Sequence, residues 1–135
     1  MAFTPSYNPV PRGTTRAEDK AARERAAERQ WLAVCKAVDT RDGPRCRVCR
    51  RRCSTTAIAM TDRAERHHIV SRAQGGADTS NNVLLLCARC HAARHTHCML
   101  QLAGDAEQRD PNTRKLNGVQ VWRRTEDGWA IDKWV

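Results

Sequence analysis

The chain has 135 residues, of which 29% are charged and only 4% aromatic, and its formal net charge is +9. This length predicts one domain with short appendages, and the scarcity of aromatic residues predicts a small hydrophobic core. The excess of Lys and Arg predicts attraction to a polyanion, of which nucleic acid is the commonest. We expect no membrane partner, because no apolar run approaches the roughly 20 residues that cross a bilayer.

The first part of the chain predicts an arm followed by a helix. Residues 1–15 contain three prolines and a glycine, and such a segment is expected to be flexible and to lack the apolar run of a secretion signal. Thr15 and Glu18 have the spacing of a capping box, and the Ala-, Glu- and Arg-rich stretch that follows predicts a helix over residues 16–41. Trp31 begins a set of apolar residues at helical spacing that would dock its second half.

Short strands and a second helix are predicted for a core over residues 42–102. Strands are expected at 55–60, where Ala57 and Ala59 weaken the pattern, and at 66–70 and 83–86. From Cys87 onward the pattern predicts a helix over residues 88–102.

The last segment, residues 103–135, is expected to form a polar connector and a terminal hairpin. Asp127-Gly128 lies between two apolar stretches, which is typical of a hairpin turn, and three tryptophans would be carried on it. The fold class is therefore α+β.

Seven cysteines indicate a metal site better than a disulfide framework. Their number is odd, and two pairs have Cys-x-x-Cys spacing, Cys46 with Cys49 and Cys87 with Cys90. Each such turn lets two thiolates reach one ion, and two turns complete the tetrahedral four-sulfur site that is typical of structural Zn²⁺. Free thiols of this kind favour a reducing compartment, so we expect the protein in the cytoplasm.

Four of the five histidines lie between Arg66 and His95. Neutral imidazole can accept a proton or bind a metal near neutral pH. Hydrolysis of a phosphodiester needs both a base and a divalent cation, so an adjacent pair of histidines could divide the two tasks.

These motifs resemble the zinc-stabilised branch of the HNH endonucleases, also called ββα-metal or His-Me finger nucleases. The resemblance implies a ββα-metal core, metal-dependent cleavage of double-stranded DNA with 5′ phosphate products, and a bacterial or phage-infected cell, in a phage or mobile-element context. The residues that carry the resemblance occur in family order: Cys46-Arg47-Val48-Cys49, His67-His68, Gly75-Gly76, Asn82 and Cys87-Ala88-Arg89-Cys90-His91.

The resemblance also implies roles for the site residues. His67 and His91 would be metal ligands and His68 the general base, while Asn82, nine residues before His91, would orient the loop that carries the base. His95 lies one helical turn after His91, a spacing that resembles the bacteriocin nucleases in which both histidines bind metal.

Two alternatives and one geometric problem accompany these assignments. Cys53 is the alternative to Cys49 as a zinc ligand. Asn81 is the alternative to Asn82, and His97 lies outside the helix face of the metal site and is expected to be solvated. Neighbours on a regular strand point to opposite faces, so we predict that the strand ends or bulges at His67-His68.

The sequence departs from many relatives at two positions. They carry an acidic residue where His67 stands and a proline near Ser71. Imidazole ligands suit Ni²⁺, Co²⁺, Zn²⁺ or Mn²⁺ more than Mg²⁺. All five ions remain candidates for the catalytic cation.

Arginines around the motif are candidate phosphate contacts, and the two nearest the site in sequence, Arg72 and Arg94, could also stabilise charge on the reacting phosphate. The N-terminal helix and the tail could bind a protein partner or a second copy. The candidate DNA-binding residues are Arg45, Arg47, Arg50, Arg51, Arg52, Arg66, Arg72, Arg89 and Arg94.

Two other functions are compatible with the same residues. A non-catalytic zinc-ribbon module could bind nucleic acid with the histidines in structural roles. A histidine-rich site could store or sense metal, although that function requires neither the +9 charge nor the Asn82 spacing.

Overall fold

The computed structural model describes residues 12–135, which form an α+β fold around one hydrophobic core. The predicted arm, residues 1–15, lies outside the described residues except for its last four. No helix in the described part of the chain is long and apolar enough to cross a membrane. The main elements are α1 (Arg16–Asp42), β1 (Ala64–His68), β2 (Val83–Cys87), α2 (Ala88–His95), β3 (Leu100–Gly104), β4 (Val119–Thr125) and β5 (Gly128–Trp134).

Helix α1 begins at the predicted capping box. The Thr15 hydroxyl accepts from the Glu18 N–H at 3.2 Å, and the Glu18 carboxylate accepts from the Thr15 N–H at 2.6 Å, so two N–H groups at the helix start are satisfied. The helix ends at Asp42, one residue after the predicted end. Val34 and Val38 in its second half are buried in the core, as the apolar spacing predicts.

Strands β1 and β2 form an antiparallel hairpin between the two helices. All five residues of β2 are buried, because both α1 and α2 pack against this strand. Along β1, Arg66 and His68 contact α1, whereas His67 contacts α2. The hairpin therefore separates two differently lined faces.

Two predictions before and within this hairpin were wrong. Residues 55–60 form turns that lead into a short 3₁₀ helix, Met60–Asp62, and Ile58 is fully exposed, because no neighbouring strand pairs with this segment in the described chain. Strand β1 also begins and ends two residues earlier than predicted. Val70 leaves the ladder because the Asn82 side chain, and not a strand, binds its backbone N–H and C=O.

The predicted helix over residues 88–102 was too long. Helix α2 ends at His95, and Cys98 has a positive φ of 49° that no helix continues through. Leu100 and Leu102 are both buried in β3, so these apolar residues follow the two-residue period of a strand.

The C-terminal strands form a sheet in the order β3-β4-β5. The predicted hairpin around Asp127-Gly128 is present, and Gly128 adopts the positive φ of 116° that the tight turn requires. Leu100, Leu102, Val119 and Val121 bury one face of this sheet in the common core. The expected boundary at residues 102 and 103 falls inside β3.

A buried carboxylate joins α1 to the hairpin. The Asp42 side chain accepts hydrogen bonds from the guanidinium groups of Arg41 and Arg47 and from the backbone N–H of Leu85. Both Asp42 and Arg47 are buried, so each compensates the charge of the other away from water. This contact holds the end of α1 against the first cysteine pair and β2.

We expect Asp42→Ala to lower the free energy of unfolding by about 3–5 kcal/mol, because it leaves the buried Arg47 cation unpaired. Urea denaturation followed by circular dichroism measures this loss. Glu28→Ala, an exposed carboxylate on the same helix, is the matched control and should change the value by less than about 0.5 kcal/mol. Equal effects of the two variants would contradict a structural role for the Asp42–Arg47 pair.

Candidate zinc site and catalytic centre

The four cysteines of the two Cys-x-x-Cys pairs lie together. Their sulfur atoms are all within 4.8 Å of one another, and the Cys49 and Cys87 sulfurs are 3.6 Å apart. A tetrahedral site with Zn–S bonds of about 2.3 Å has sulfur–sulfur edges of about 3.8 Å. Cys87 ends β2 and caps α2, and Cys90 lies in the first turn of that helix. The cluster fits a structural zinc ion that would fasten the segment after α1 to the start of α2.

Hydrogen bonding within the cluster lowers the pKa of Cys46 and so favours its thiolate, whereas it raises the pKa of Cys90. The cause of both shifts is a hydrogen bond that the Cys90 thiol donates to the Cys46 thiolate. Cys53 lies outside the cluster, and burial raises its pKa to about 11, so it remains a neutral thiol. Cys35 and Cys98 are also outside the cluster.

His67, His91 and His95 form a second cluster, with ring nitrogens all within 4.8 Å of one another. His67 Nδ1 and His95 Nε2 are 3.0 Å apart, and the buried Nε2 of His67 has no hydrogen-bond partner among the described residues. Burial and then the nearby His95 lower the pKa of His67 to about 3. The imidazole is therefore neutral near pH 7, the form that binds a metal ion. The three side chains fit a divalent cation.

The structure places His67 and His68 on opposite faces of a regular strand. The ladder is continuous through both residues, with His67 opposite Leu84 and His68 opposite Val83, and β1 ends at His68. No bulge separates the two histidines, so of the two predicted irregularities only the strand end is found. His67 faces α2, and His68 stacks on Trp31 of α1 with ring centroids 5.2 Å apart and planes 12° apart.

His68 belongs to a closed ring of four side chains, which we call the base ring: Trp31, His68, Asp78 and Arg72. His68 Nε2 is 2.8 Å from Asp78 Oδ1. Arg72 donates to both Asp78 oxygens, at 2.7 and 3.1 Å, and its guanidinium carbon lies 4.8 Å from the centre of the Trp31 ring. Each member thus contacts two others, which fixes the His68 ring in one orientation.

The charge of Asp78 determines the tautomer of His68. Hydrogen bonds from Arg72 and then from His68 hold the pKa of Asp78 below its usual value, so the carboxyl is ionised and can only accept. The neutral imidazole must then carry its proton on Nε2. This leaves the lone pair of His68 Nδ1 available to accept a proton.

Sequence reasoning missed Asp78 and assigned Trp31 only a packing role. One signal for Asp78 was available, since it is the only acidic residue between Glu65 and Asp105. No local pattern connects Trp31 to His68, because the contact forms only when α1 packs on the hairpin. Gln30 strengthens that contact by donating to the backbone carbonyl of Asp78 at 3.0 Å.

The Asn82 side chain fastens both ends of the loop that follows His68. Its Nδ2 donates to the carbonyls of Val70 and Ala77, and its Oδ1 accepts from the Val70 N–H, each at 3.0 Å. A side chain at Gly76 would overlap the carbonyl oxygen of Val70, so the loop needs a glycine there. Asn81, by comparison, binds only Thr79 through its side chain.

The arginines predicted to contact phosphate differ in their exposure to solvent and in whether another side chain of the protein already binds them. The prediction was wrong for Arg47, which is 1% exposed and bound to Asp42 and the carbonyl of Ala106. Arg66 is turned toward α1 by Asp39, with contacts of 2.9 and 2.5 Å. Arg94 is half-buried next to His67, and its Nε has no partner among the described residues. The exposed members are Arg45, Arg50, Arg51, Arg52, Arg72 and Arg89.

Comparison with known proteins gives one match. Residues 46–97, which contain the four-cysteine cluster, all three clustered histidines and the base ring apart from Trp31, match the family model described as HNH endonuclease. Neither a curated protein nor a solved structure matches the chain.

We expect Cys90→Ser to remove about one equivalent of zinc per chain and to lower the thermal midpoint, because a four-sulfur site loses one of its ligands. Elemental analysis and a thermal melt of the purified protein measure the two effects. Cys98→Ser is the control, since Cys98 is exposed and outside the cluster. Full zinc content in Cys90→Ser would contradict the assignment of this cluster.

Proposed function

We propose that this chain is a metal-dependent DNA endonuclease that hydrolyses phosphodiester bonds, because its residues 46–97 match the HNH endonuclease family model. The match indicates a nuclease-type activity in general. The specific mechanism is supported by the positions of the histidines at the end of β1. The three-histidine cluster lies on one face of the strand, and His68, oriented by Asp78, lies on the other.

This placement fits in-line displacement at phosphorus. In such a reaction the attacking and leaving oxygens lie on opposite sides of the phosphorus atom. A phosphate at the end of β1 would have His68 on the side of α1 and the cluster of His67, His91 and His95 on the side of α2. The regular pairing of β1 is therefore compatible with both roles, and a bulge between the two histidines is not required.

In the proposed reaction, His68 Nδ1 removes a proton from a water molecule while the water oxygen forms a bond to phosphorus. The bond from phosphorus to the 3′ oxygen breaks, which leaves a 5′ phosphate on one product. The imidazolium that forms donates from Nε2 to the ionised Asp78, whose charge stabilises it. Trp31 covers one face of the ring and limits its rotation.

The three-histidine cluster would hold the divalent cation, which when bound supplies positive charge to the reacting phosphate and to the leaving 3′ oxygen. All three clustered side chains are imidazoles, so Mn²⁺, Ni²⁺, Co²⁺ or Zn²⁺ suits the set better than Mg²⁺. Arg94 beside His67 is placed to donate its unpartnered Nε–H to a phosphate oxygen.

Double-stranded DNA is the proposed partner. The net charge of +9 and the exposed arginines around the first cysteine pair favour a polyanion. Arg47 and Arg66 are not included in this interface, because carboxylates within the protein bind their guanidinium groups. A cytoplasmic site of action would suit the seven free thiols.

We expect the wild-type protein to nick or linearise supercoiled plasmid with Mn²⁺, Ni²⁺ or Co²⁺, and His68→Ala to lower the rate by about 10²–10⁴-fold, the usual contribution of a general base. Gel analysis of the plasmid over time measures the rates. His97→Ala is the matched control, because His97 is exposed and outside the cluster. If no metal supports cleavage and both proteins still retard the plasmid, the non-catalytic zinc-ribbon module becomes the better account.

Asp78→Asn should lower kcat at least about tenfold and leave KM for DNA nearly unchanged, because the carboxylate positions His68 and does not touch the substrate. Initial rates over a range of plasmid concentrations separate the two constants. Glu65→Gln serves as the control, because Glu65 is an exposed carboxylate on β1, the strand that carries His68. An unchanged kcat in a correctly folded Asp78→Asn protein would show that the base ring does not contribute to catalysis.

A further inference from the structure

The C-terminal sheet carries a cluster of large apolar side chains on the face that points away from the core. Residues paired across antiparallel strands lie on the same face. Trp122 is opposite Ile131, and Trp134 is opposite Gln120 on the same side of the sheet. Trp129, two residues before Ile131, also lies on this side. We call this surface, formed by Trp122, Trp129, Ile131 and Trp134, the tryptophan face.

The tryptophan face has no partner within the described residues. Trp129, Ile131 and Trp134 are 38%, 47% and 52% exposed, and three of the four tryptophans in the chain belong to this surface. On β3 and β4 the opposite face of the sheet is buried, since its valines and leucines are part of the core. Exposed large apolar clusters of this kind usually mark an interaction site.

The charge on the tryptophan face itself is basic, and two carboxylates, Glu126 and Asp127, lie in the turn beyond its end. Arg124 pairs across the strands with Trp129 and so lies on the same face. The only carboxylate in strands β3 to β5 is Asp132, and it is bound to Arg123 at 3.0 Å. A second copy would carry the same net charge of +9 and be repelled, whereas an anionic partner would be attracted.

A basic pocket lies between this sheet and the zinc site. Arg51, Arg89 and Arg123 line a cavity of about 490 Å³ next to Cys90. Arg123 is opposite the buried Leu100, so it lies on the other side of β4 from Trp122, and its guanidinium is bound to Asp132 at 3.0 Å. The pocket is therefore a basic region separate from the tryptophan face, whose own cation is Arg124.

We propose that the tryptophan face binds unpaired nucleobases of a DNA strand by stacking, with Arg124 on the same face binding a phosphate of that strand. Every base has a π face, so flat aromatic side chains among arginines bind single strands with little dependence on sequence. The proposal rests on the proposed function only for the identity of the polymer as DNA. It extends the substrate contacts to the protein strands β4 and β5, which lie outside residues 46–97. It also implies that the protein prefers DNA with an unpaired segment near the cut.

Fluorescence anisotropy with a labelled oligothymidine and with a labelled duplex of the same length tests this proposal. The proteins carry His68→Ala, and a gel confirms that the DNA stays intact. We expect Trp129→Ala with Trp134→Ala to weaken single-strand binding at least about tenfold and duplex binding by less than about threefold, given the strength of base–aromatic stacking. Replacing both residues by Tyr should restore most of the single-strand affinity, because the aromatic faces return.

The double variant Ile58→Ala with Met60→Ala is the matched control, since both side chains are large, apolar and exposed elsewhere, at 100% and 66%. Single-strand affinity that is equal in the control and in the alanine variant of the two tryptophans would overturn the proposal. So would sedimentation showing a wild-type dimer that this variant alone converts to a monomer, because the face would then belong to a second copy.

Plasmid cleavage by the wild type separates failure of this proposal from failure of the proposed function. If the plasmid is cut but the tryptophan variants bind single strands normally, only the stacking surface is wrong. If no metal supports cutting but single-strand binding depends on Trp129 and Trp134, the stacking surface stands and the nuclease mechanism falls.

Discussion

The alternation of side chains along β1 is the constraint on which the candidate site depends. Because β1 pairs regularly with β2 through its last residue, His67 must face α2 and His68 must face α1. Each histidine therefore meets a different environment: a buried cluster of imidazoles for His67, and a tryptophan and a carboxylate for His68. Two histidines that are neighbours in one strand are therefore surrounded by different groups, which suits them to different chemical roles.

This arrangement needs a rigid frame, and the small core supplies only part of it. The four cysteines join the segment after α1 to the junction of β2 and α2, and the Asp42 carboxylate joins the end of α1 to β2. Both connections meet on β2, whose five residues are all buried. The strand that orients the hairpin is therefore held at its middle residue, Leu85, by a carboxylate and at its last residue, Cys87, by the cysteine cluster. Such polar or metal-binding contacts are typical of small domains with little apolar surface to bury.

The sequence predicted the parts of the site that depend on short-range spacing. Each Cys-x-x-Cys turn and the four-residue step from His91 to His95 brings two ligands together within one turn of chain, so spacing predicts these pairs. The inclusion of His67 in the histidine cluster was implied by the family resemblance and not by spacing. The capping box predicted for Thr15 and Glu18 is likewise confirmed by the structure. The features that the sequence did not predict depend on contacts between distant residues. Pairing of β3 with β4 places Leu100 and Leu102 in a strand instead of a helix. Arg47 is buried against Asp42, and Asp78 approaches His68, only in the folded chain.

Helix α1 lies outside residues 46–97, the segment that matches the family model, yet it packs along one side of the hairpin. Trp31 stacks on His68, Gln30 donates to the backbone of Asp78, and Asp39 binds Arg66 on the same face. A fragment of residues 46–97 would therefore retain every motif that the family model matches and would lose these contacts to the candidate site. Transfer of the motif segment into another protein would require this helix to be transferred with it.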